Sequence, residues 1–307
     1  MIKKNYKING ADNIPVPITL WIPDGSTRCI LHITHGMTEH IGRYEELAKK
    51  LSEQGIVTAG FDLPGHGENS GDPICASIGQ SGWKDTLNNM KLLNQELKSM
   101  YPQLPLCMLG FSLGSFLLRD FLQENSYNVD AAIIMGTGYQ PSFILRILKR
   151  VIKSQINKVG FDKTSPLVKK LSFETYNKKF RPGQTEVDWL CSDKSEREIY
   201  LNDPLCKKCI SAGLFWQLLD GMERTGNVKN YKNWNKDLPV LLLSGAEDPV
   251  GNEGKGVMAV ADQMKNSGLA NVRTVLVPAG RHDILHEIHN GGEKLAVKTI
   301  EEFLTLL

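Results

Sequence analysis

The chain has 307 residues, of which 41% are hydrophobic, and its formal net charge at pH 7 is only +2. This length can bury one large core, and the near-neutral charge gives no reason to expect a nucleic-acid partner. No apolar run reaches membrane-spanning length and no signal-peptide pattern opens the chain, so we expect neither an anchor nor secretion. The six cysteines lack the spacing of a secreted disulfide framework, which favours a cytoplasmic location.

Charge is distributed unevenly along the chain. Residues 141–210 contain fifteen Lys and Arg against eight Asp and Glu, whereas the remainder carries an excess of acidic residues. A segment with its own electrostatic character is typical of an insertion with a separate surface role.

Apolar runs and amphipathic runs alternate on both sides of this basic segment. The predicted strands are 17–22, 29–34, 56–61, 104–109, 131–135, 239–244 and 272–277. The predicted helices are 43–54, 81–100, 115–122, 252–267 and 293–304. This βαβα order predicts a mostly parallel sheet with helices on both faces. In such a sheet the reactive side chains follow the carboxyl ends of the strands.

Residues 110–114 read Gly-Phe-Ser-Leu-Gly, between an apolar strand and a helix-like run. This pattern is typical of a nucleophile elbow, in which Ser112 lies on a sharp strand-to-helix turn. Gly110 and Gly114 are required because a Cβ at either position would collide with the neighbouring chain. The alternative is a glycine-rich turn in which Ser112 only caps the helix.

A serine nucleophile needs a base, and the base needs an orienting acid. His282 is the predicted base because it closely follows the strand 272–277. Asp248 is the predicted acid because it lies in a tight turn after the strand 239–244, and its neighbour Glu247 is the weaker candidate. Each of these residues has a structural alternative, as a helix cap or a turn cap.

An oxyanion hole needs two backbone N–H donors. Leu113 supplies one, since it follows the nucleophile, and Met37 supplies the other from the loop after strand 29–34. His35 and His40 in this loop are interpreted as structural residues that hold it by hydrogen bonds. Asp62 and His66 come too early in the chain for the expected Ser–Asp–His order, so we interpret them as a hydrogen-bonded brace beneath the site.

Five segments together carry a resemblance to a known family. The chain is similar to the α/β-hydrolase superfamily and, within it, to the monoacylglycerol lipase and lysophospholipase-like branch that is grouped with S33-type serine aminopeptidases. It departs from the usual pattern at Phe111 and Ser115, where the family often has His and Gly. The matching segments are 35–44, 62–70, 110–114, 245–250 and 282–287.

The resemblance implies an α/β-hydrolase fold: a mostly parallel, eight-stranded sheet with helices on both faces and an inserted helical lid. The core would comprise residues 1–136 and 236–307, and the lid residues 137–235. The implied activity is hydrolysis of carboxylic esters, of acyl-glycerol or lysophospholipid type, by Ser112, Asp248 and His282. The implied partner is a small ester, and neither a metal nor an organic cofactor is expected.

Several alternatives stay open. The same catalytic set serves peptidases, thioesterases and C–C bond hydrolases, and a hydrolase fold can act as a silent binding protein. A basic amphipathic run at 143–153 is interpreted as an ordinary lid helix, with transient contact to lipid aggregates as the alternative. Zinc binding by Cys206 and Cys209, or by His282 with the two histidines that follow it, lacks the usual ligand spacing. The oligomeric state is left undetermined.

Overall fold

The apolar runs of the sequence form the strands of the computed structural model, which describes residues 1–180, 182–183 and 185–307. The strands are β1 (Ile2–Asn9), β2 (Pro15–Ile22), β3 (Cys29–Thr34), β4 (Ile56–Phe61), β5 (Cys75–Ala76), β6 (Leu106–Phe111), β7 (Ala131–Met135), β8 (Cys209–Ile210), β9 (Val240–Gly245) and β10 (Val272–Val277). Eight of them form one sheet in the order β1-β2-β4-β3-β6-β7-β9-β10. The pair β5 and β8 forms a separate two-stranded sheet.

Every pair in the large sheet from β4 to β10 is parallel, whereas β2 runs antiparallel to both β1 and β4. The helices are α1 (Glu45–Glu53), α2 (Gly82–Met100), α3 (Leu113–Asn125), α4 (Ser142–Val159), α5 (Pro166–Lys169), α6 (Thr175–Asn177), α7 (Lys194–Asn202), α8 (Ala212–Thr225), α9 (Lys255–Asn266) and α10 (Gly292–Leu304). The expected mostly parallel, eight-stranded sheet with flanking helices is therefore confirmed.

The sheet separates two apolar clusters, because successive residues of a strand point to opposite faces. In β3, Ile30 packs into the cluster on one face and Leu31 into the cluster on the other. In β6, Met108 and Leu109 divide in the same way. Burial on both faces explains why these strands read as continuous apolar runs rather than as alternating ones.

Strand β1 was not predicted from the sequence. Its eight residues include three lysines and two asparagines, and most of its side chains are exposed. It lies at the edge of the sheet, where it pairs only with β2. An edge strand with one partner and little burial has no apolar pattern to reveal it.

Residues 137–235, hereafter the inserted segment, lie between β7 and β9 and contain α4 to α8. Strand β8 of this segment pairs in parallel with β5, so that Cys209 lies opposite Cys75. Among the described residues, none of the helices has the length and apolar content needed to span a bilayer.

Buried Arg119 of α3 forms hydrogen bonds near both ends of the inserted segment. Its guanidinium donates hydrogen bonds to Thr137 Oγ1 and the Gly138 carbonyl near the first end. It also donates to the Thr225 carbonyl and to the Tyr231 hydroxyl near the second end. The helix that follows β6 is thereby hydrogen-bonded to residues near both ends of the segment between β7 and β9.

Substitution of Gly114 should damage the junction between β6 and α3. A Cβ built at Gly114 lies 2.0 Å from the carbonyl oxygen of Thr34, a backbone atom of β3 that cannot turn aside. We expect Gly114→Ala to lower the free energy of unfolding by at least about 2 kcal/mol, measured by urea denaturation. The control is Gly71→Ala, since no heavy atom lies within 4 Å of a Cβ there. Equal stability of the two variants would refute this account of the junction.

Candidate active site

The residues predicted to react all follow strands that end at the same edge of the sheet. Ser112 comes directly after β6, Asp248 comes three residues after β9, and His282 comes five residues after β10. Because parallel strands end on one side, these loops converge although their residues are far apart in sequence.

The structure brings these three side chains into one hydrogen-bonded chain. Nε2 of His282 lies 2.8 Å from Oγ of Ser112, and Nδ1 lies 2.9 Å from Oδ2 of Asp248. Asp248 also accepts hydrogen bonds from the Ser244 hydroxyl and the Val250 N–H. With Nδ1 donating to the carboxylate, Nε2 is left to accept the proton of the serine hydroxyl. Glu247, the weaker candidate for the acid, is exposed.

Ser112 occupies a strained backbone conformation, with φ 51° and ψ −114°. This left-handed region is unfavourable for a residue with a Cβ, and such strain is concentrated at functional sites. Space around the turn is scarce, since a Cβ at Gly110 would lie 2.3 Å from the Gly114 carbonyl oxygen. The steric requirement predicted for both glycines is therefore confirmed.

Two aromatic rings pack against the His282 imidazole. The Phe111 centroid lies 4.9 Å from the imidazole centroid, and the Trp189 centroid lies 5.0 Å from it. Trp189 belongs to the inserted segment, so this segment contacts the imidazole directly. No local sequence signal predicted the contact, because it joins residues far apart in the chain. Phe111 is one of the two departures from the family pattern, and the other, Ser115, donates to the Ser112 carbonyl.

Backbone carbonyls of the inserted segment also accept hydrogen bonds from the His282 loop. The N–H of His282 donates to the Trp189 carbonyl at 3.4 Å, and the N–H of Asp283 donates to the Leu190 carbonyl at 2.6 Å. These bonds fix the inserted segment over the imidazole in this conformation.

The sequence predicts that the N–H groups of Met37 and Leu113 form the oxyanion hole. Leu113 is the first residue of α3, so its N–H has no acceptor within the helix. In the part of the chain that the structure describes, neither N–H donates to another group. Met37 and Ser112 border the same small pocket, together with His282.

A buried ionic network joins the Met37 loop to the His282 loop. Glu39 accepts hydrogen bonds from the Gly36 N–H, the Tyr44 hydroxyl and Arg43. Arg43 also donates to Asp283 at 2.7 Å. Burial alone would raise the pKa of Asp283, but the His286 imidazole and the Arg43 guanidinium hold it well below its usual range.

The predicted site did not include Glu39, Arg43 or Asp283. The available signal was their position within the segments that carry the family resemblance. Their ion pairs join the Met37 loop to the His282 loop, and Glu39 and Asp283 also border the pocket that contains Ser112.

The structure confirms the bracing roles predicted for His35, Asp62 and His66. His35 accepts a hydrogen bond from the Leu63 N–H at Nε2, and its Nδ1 donates to the Gly36 carbonyl. Asp62 accepts from the N–H of Ile41, and Nδ1 of His66 bonds to a backbone carbonyl. Burial lowers the pKa of both His35 and His66 to about 3, so both imidazoles stay neutral near neutral pH.

His40 lies apart from this brace, in a cluster with Asp203 and Cys206 of the inserted segment. One ligand atom of each residue lies within 4.8 Å of the others. Nε2 of His40 is already hydrogen-bonded to Asp203 at 2.8 Å, and burial raises the pKa of the Cys206 thiol to about 12. A protonated thiol is a poor metal ligand, so we interpret the cluster as a hydrogen-bonded link between loop and inserted segment.

The alternative of zinc held by three downstream histidines is not supported by the structure. His282 bonds to Asp248, whereas the imidazole Nδ1 atoms of His286 and His289 bond to Asp283 and Asp193. Three imidazoles directed at three different carboxylates do not form one ligand set.

A narrow space surrounds the serine, and a larger cavity lies beside it. The pocket that contains Ser112 has a volume of only about 20 Å³. The neighbouring cavity measures about 310 Å³, which is within the usual range of small-ligand sites. The two share Thr38, Phe173, Trp189, Leu190 and Tyr200.

The fold and the arrangement of the strand-end residues define an α/β-hydrolase. The chain belongs to the family described as serine aminopeptidase, S33, whose profile matches residues 25–289. A monoglyceride lipase homolog from monkeypox virus is 32% identical over 294 residues, which cover 95% of each chain. The human monoglyceride lipase is 25% identical over 87% of this chain and 79% of its own length.

A solved structure also has this α/β-hydrolase fold. A thermostable carboxyl esterase from Bacillus coagulans superposes with a TM-score of 0.89 over 99% of this chain and 98% of its own, at 24% identity. The family and the named relatives together make this chain a hydrolase of the monoglyceride lipase-like type, and they support ester hydrolysis.

Acid should destabilise the protein through its buried neutral histidines. Burial depresses the folded-state pKa of His35 and His66 to about 3 and that of His32 to about 4, against about 6.5 in an unfolded chain. Below about pH 6.5 the unfolded chain therefore binds protons that the folded chain does not, and the free energy of unfolding falls as pH falls. Each histidine contributes a slope of about 1.4 kcal/mol per pH unit.

Removing one of these imidazoles should reduce that slope. We expect His66→Gln to show a shallower loss of unfolding free energy between about pH 6 and pH 4, by about 1.4 kcal/mol per unit, in urea denaturation. The control is His289→Gln, whose side chain is 76% exposed. A slope for His66→Gln equal to that of the unmodified protein would contradict the assignment.

Proposed function

We propose that this chain hydrolyses carboxylic esters by an acyl-enzyme mechanism in which Ser112 is the nucleophile. The observation that carries the proposal is the continuous hydrogen-bonded chain from Asp248 through His282 to Ser112. His282 is the general base, and Asp248 holds its tautomer and stabilises the imidazolium that forms. The strained elbow at Ser112 supports the same interpretation.

In the first step, Nε2 of His282 takes the hydroxyl proton while Oγ of Ser112 attacks the ester carbonyl carbon. The carbonyl oxygen gains negative charge and accepts hydrogen bonds from the N–H groups of Met37 and Leu113. Each such donor is worth about 3–4 kcal/mol in the transition state. The imidazolium then gives its proton to the departing alcohol, which leaves an acyl group on Ser112.

In the second step, a water molecule attacks the acyl carbon as His282 removes one of its protons. The same two N–H groups hold the oxyanion, and His282 returns its proton to Ser112 as the carboxylic acid leaves. Ser112 and His282 therefore finish the cycle in their starting protonation states, and the reaction consumes only ester and water.

Esters of acyl-glycerol type are the proposed substrates. The cavity beside Ser112 is lined by Phe173, Val187 and Leu190, which offer an apolar wall to an acyl chain. The relatives named monoglyceride lipase support this substrate class. The serine aminopeptidase name of the family makes aminoacyl amides the comparison to test.

We further infer that the inserted segment acts as a lid. It covers His282 through Trp189, and the pocket around Ser112 is too small for an ester. The segment must therefore shift for substrate to enter. On its outer surface, Phe143 and Ile147 of α4 are 65% and 56% exposed beside basic residues, which supports transient contact with lipid aggregates.

Loss of the nucleophile should abolish turnover without unfolding the protein. We expect Ser112→Ala to reduce hydrolysis of p-nitrophenyl esters by at least about 10⁴-fold, with an unchanged circular dichroism spectrum. Labelling by a fluorophosphonate probe should disappear in the same variant. The exposed Ser195→Ala serves as the control. Retained esterase activity in Ser112→Ala would refute the nucleophile, and an unmodified protein without activity or labelling would indicate a silent binding protein.

Adjacent carboxylates permit a matched test of the acid. Asp248 is fully buried against His282, whereas Glu247 is exposed. We expect Asp248→Asn to lower kcat by about 10⁴-fold, because an amide favours the wrong imidazole tautomer. Glu247→Gln should remain within a few-fold of the unmodified enzyme. The reverse order of these two effects in steady-state kinetics would assign the acid to Glu247.

A further inference from the structure

Thr38, the residue after Met37, has an unfavourable backbone conformation. Its φ is 66°, in the left-handed region. Six non-glycine residues of the described chain have a positive φ, and Thr38 is the only β-branched one among them. A branched Cβ crowds the backbone in this region, so a threonine stays there only when its surroundings hold it. Thr38 is buried, and it borders the pocket that contains Ser112.

The inserted segment supplies the contacts that hold Thr38. The hydroxyl of Tyr200, in α7, lies 2.8 Å from Oγ1 of Thr38 and 3.4 Å from its carbonyl oxygen. The backbone N–H of Lys207 donates to the same carbonyl at 2.8 Å. Among the residues that the structure describes, Tyr200 and Lys207 are the only hydrogen-bond partners of Thr38 apart from Met37. The conformation of Thr38 therefore depends on the inserted segment.

Tyr200 is itself held in place by the core. The guanidinium carbon of Arg43, which belongs to the buried ionic network, lies 5.0 Å from the centroid of the Tyr200 ring. Burial raises the pKa of Tyr200 well above its usual range, so the phenol keeps its proton. Because the Thr38 hydroxyl donates to the Met37 carbonyl, the Tyr200 hydroxyl is the donor in its bond to Oγ1 of Thr38.

The backbone on the other side of Met37 is held by the core. The N–H of Met37 shares a peptide unit with the Gly36 carbonyl, which accepts a hydrogen bond from Nδ1 of His35. This bond holds the unit at one end, and Thr38 holds the chain at the other. Relaxation of Thr38 to a negative φ would change the dihedral angles of Met37 between these two points. The N–H would then shift relative to Ser112 without reversing its direction.

We propose that Tyr200 is a positioning residue for ester hydrolysis. Its hydroxyl holds Thr38 in the left-handed conformation, and Thr38 in turn places the Met37 N–H for the oxyanion. The inference rests on the function proposed above. It adds that the oxyanion hole is complete only while α7 of the inserted segment contacts the Met37 loop. Tyr200 acts through Thr38, so it needs no contact with the reacting atoms.

Tyr200→Phe removes the hydroxyl and retains the ring that faces Arg43. We expect kcat for p-nitrophenyl esters to fall by about tenfold, less than the loss of about 10²–10³-fold that follows complete removal of an oxyanion donor. KM should change less than about threefold, because the oxyanion exists only in the transition state. The control is Tyr127→Phe, at a residue that is 74% exposed, and it should change neither constant. A raised KM at unchanged kcat would make Tyr200 a substrate contact and overturn the proposal.

Two substitutions of Thr38 separate backbone strain from the simple loss of a hydrogen bond. Thr38→Val lacks the hydroxyl but retains the branched Cβ, whereas Thr38→Gly permits a positive φ without strain. We expect kcat of Thr38→Gly to exceed that of Thr38→Val by about tenfold. Combined with Thr38→Gly, Tyr200→Phe should change kcat less than about twofold. Equal kcat values for the two Thr38 variants, or a full tenfold effect of Tyr200→Phe in the combination, would overturn the proposal.

Crystal structures of the variants separate this inference from the proposed function, because they do not depend on catalysis. We expect the φ of Thr38 to leave the left-handed region in Tyr200→Phe, with a displaced Met37 N–H. In the combination of Tyr200→Phe with Thr38→Gly, position 38 should keep its positive φ. These results in a protein that hydrolyses no ester would refute the function alone. An unchanged Thr38 and Met37 N–H in Tyr200→Phe, in a protein that hydrolyses esters, would refute the inference alone.

Discussion

The hydrogen bonds of His282 to Asp248 and Ser112 are the interactions on which the rest of the account depends. They exist because β6, β9 and β10 are parallel strands that end at one edge of the sheet. The core makes this edge rigid, since the strands are buried between two apolar layers. The elbow then forces Ser112 into a strained conformation. Buried strands and a strained turn hold Ser112, Asp248 and His282 in place, and the proposed mechanism requires such groups to be positioned before the reaction.

The inserted segment is coupled to this edge rather than merely covering it. Trp189 packs on the imidazole, and its carbonyl accepts the His282 N–H. At the opposite side of the pocket, Lys207 bonds to the Met37 loop, and Asp203 bonds to His40. Movement of the segment therefore breaks contacts to both His282 and the Met37 loop. We infer that substrate entry and the arrangement of the reacting groups are linked.

Much of the fold could be predicted from the sequence, as could the three side chains that the structure brings together, because their signals are local. Strands buried on both faces are continuous apolar runs, and the elbow needs its glycines at fixed spacing. Strand β1 was not predicted, because an exposed edge strand has no continuous apolar run. The contact of Trp189 with His282 was not predicted, because it joins residues that are far apart in the sequence.

The most direct test is a crystal structure of the protein after reaction with a fluorophosphonate. We expect phosphorus bonded to Oγ of Ser112, and a phosphoryl oxygen about 2.7–3.1 Å from the N–H nitrogens of both Met37 and Leu113. We also expect His282 to remain hydrogen-bonded to Asp248. Phosphorus on another residue, or a phosphoryl oxygen directed away from both N–H groups, would contradict it.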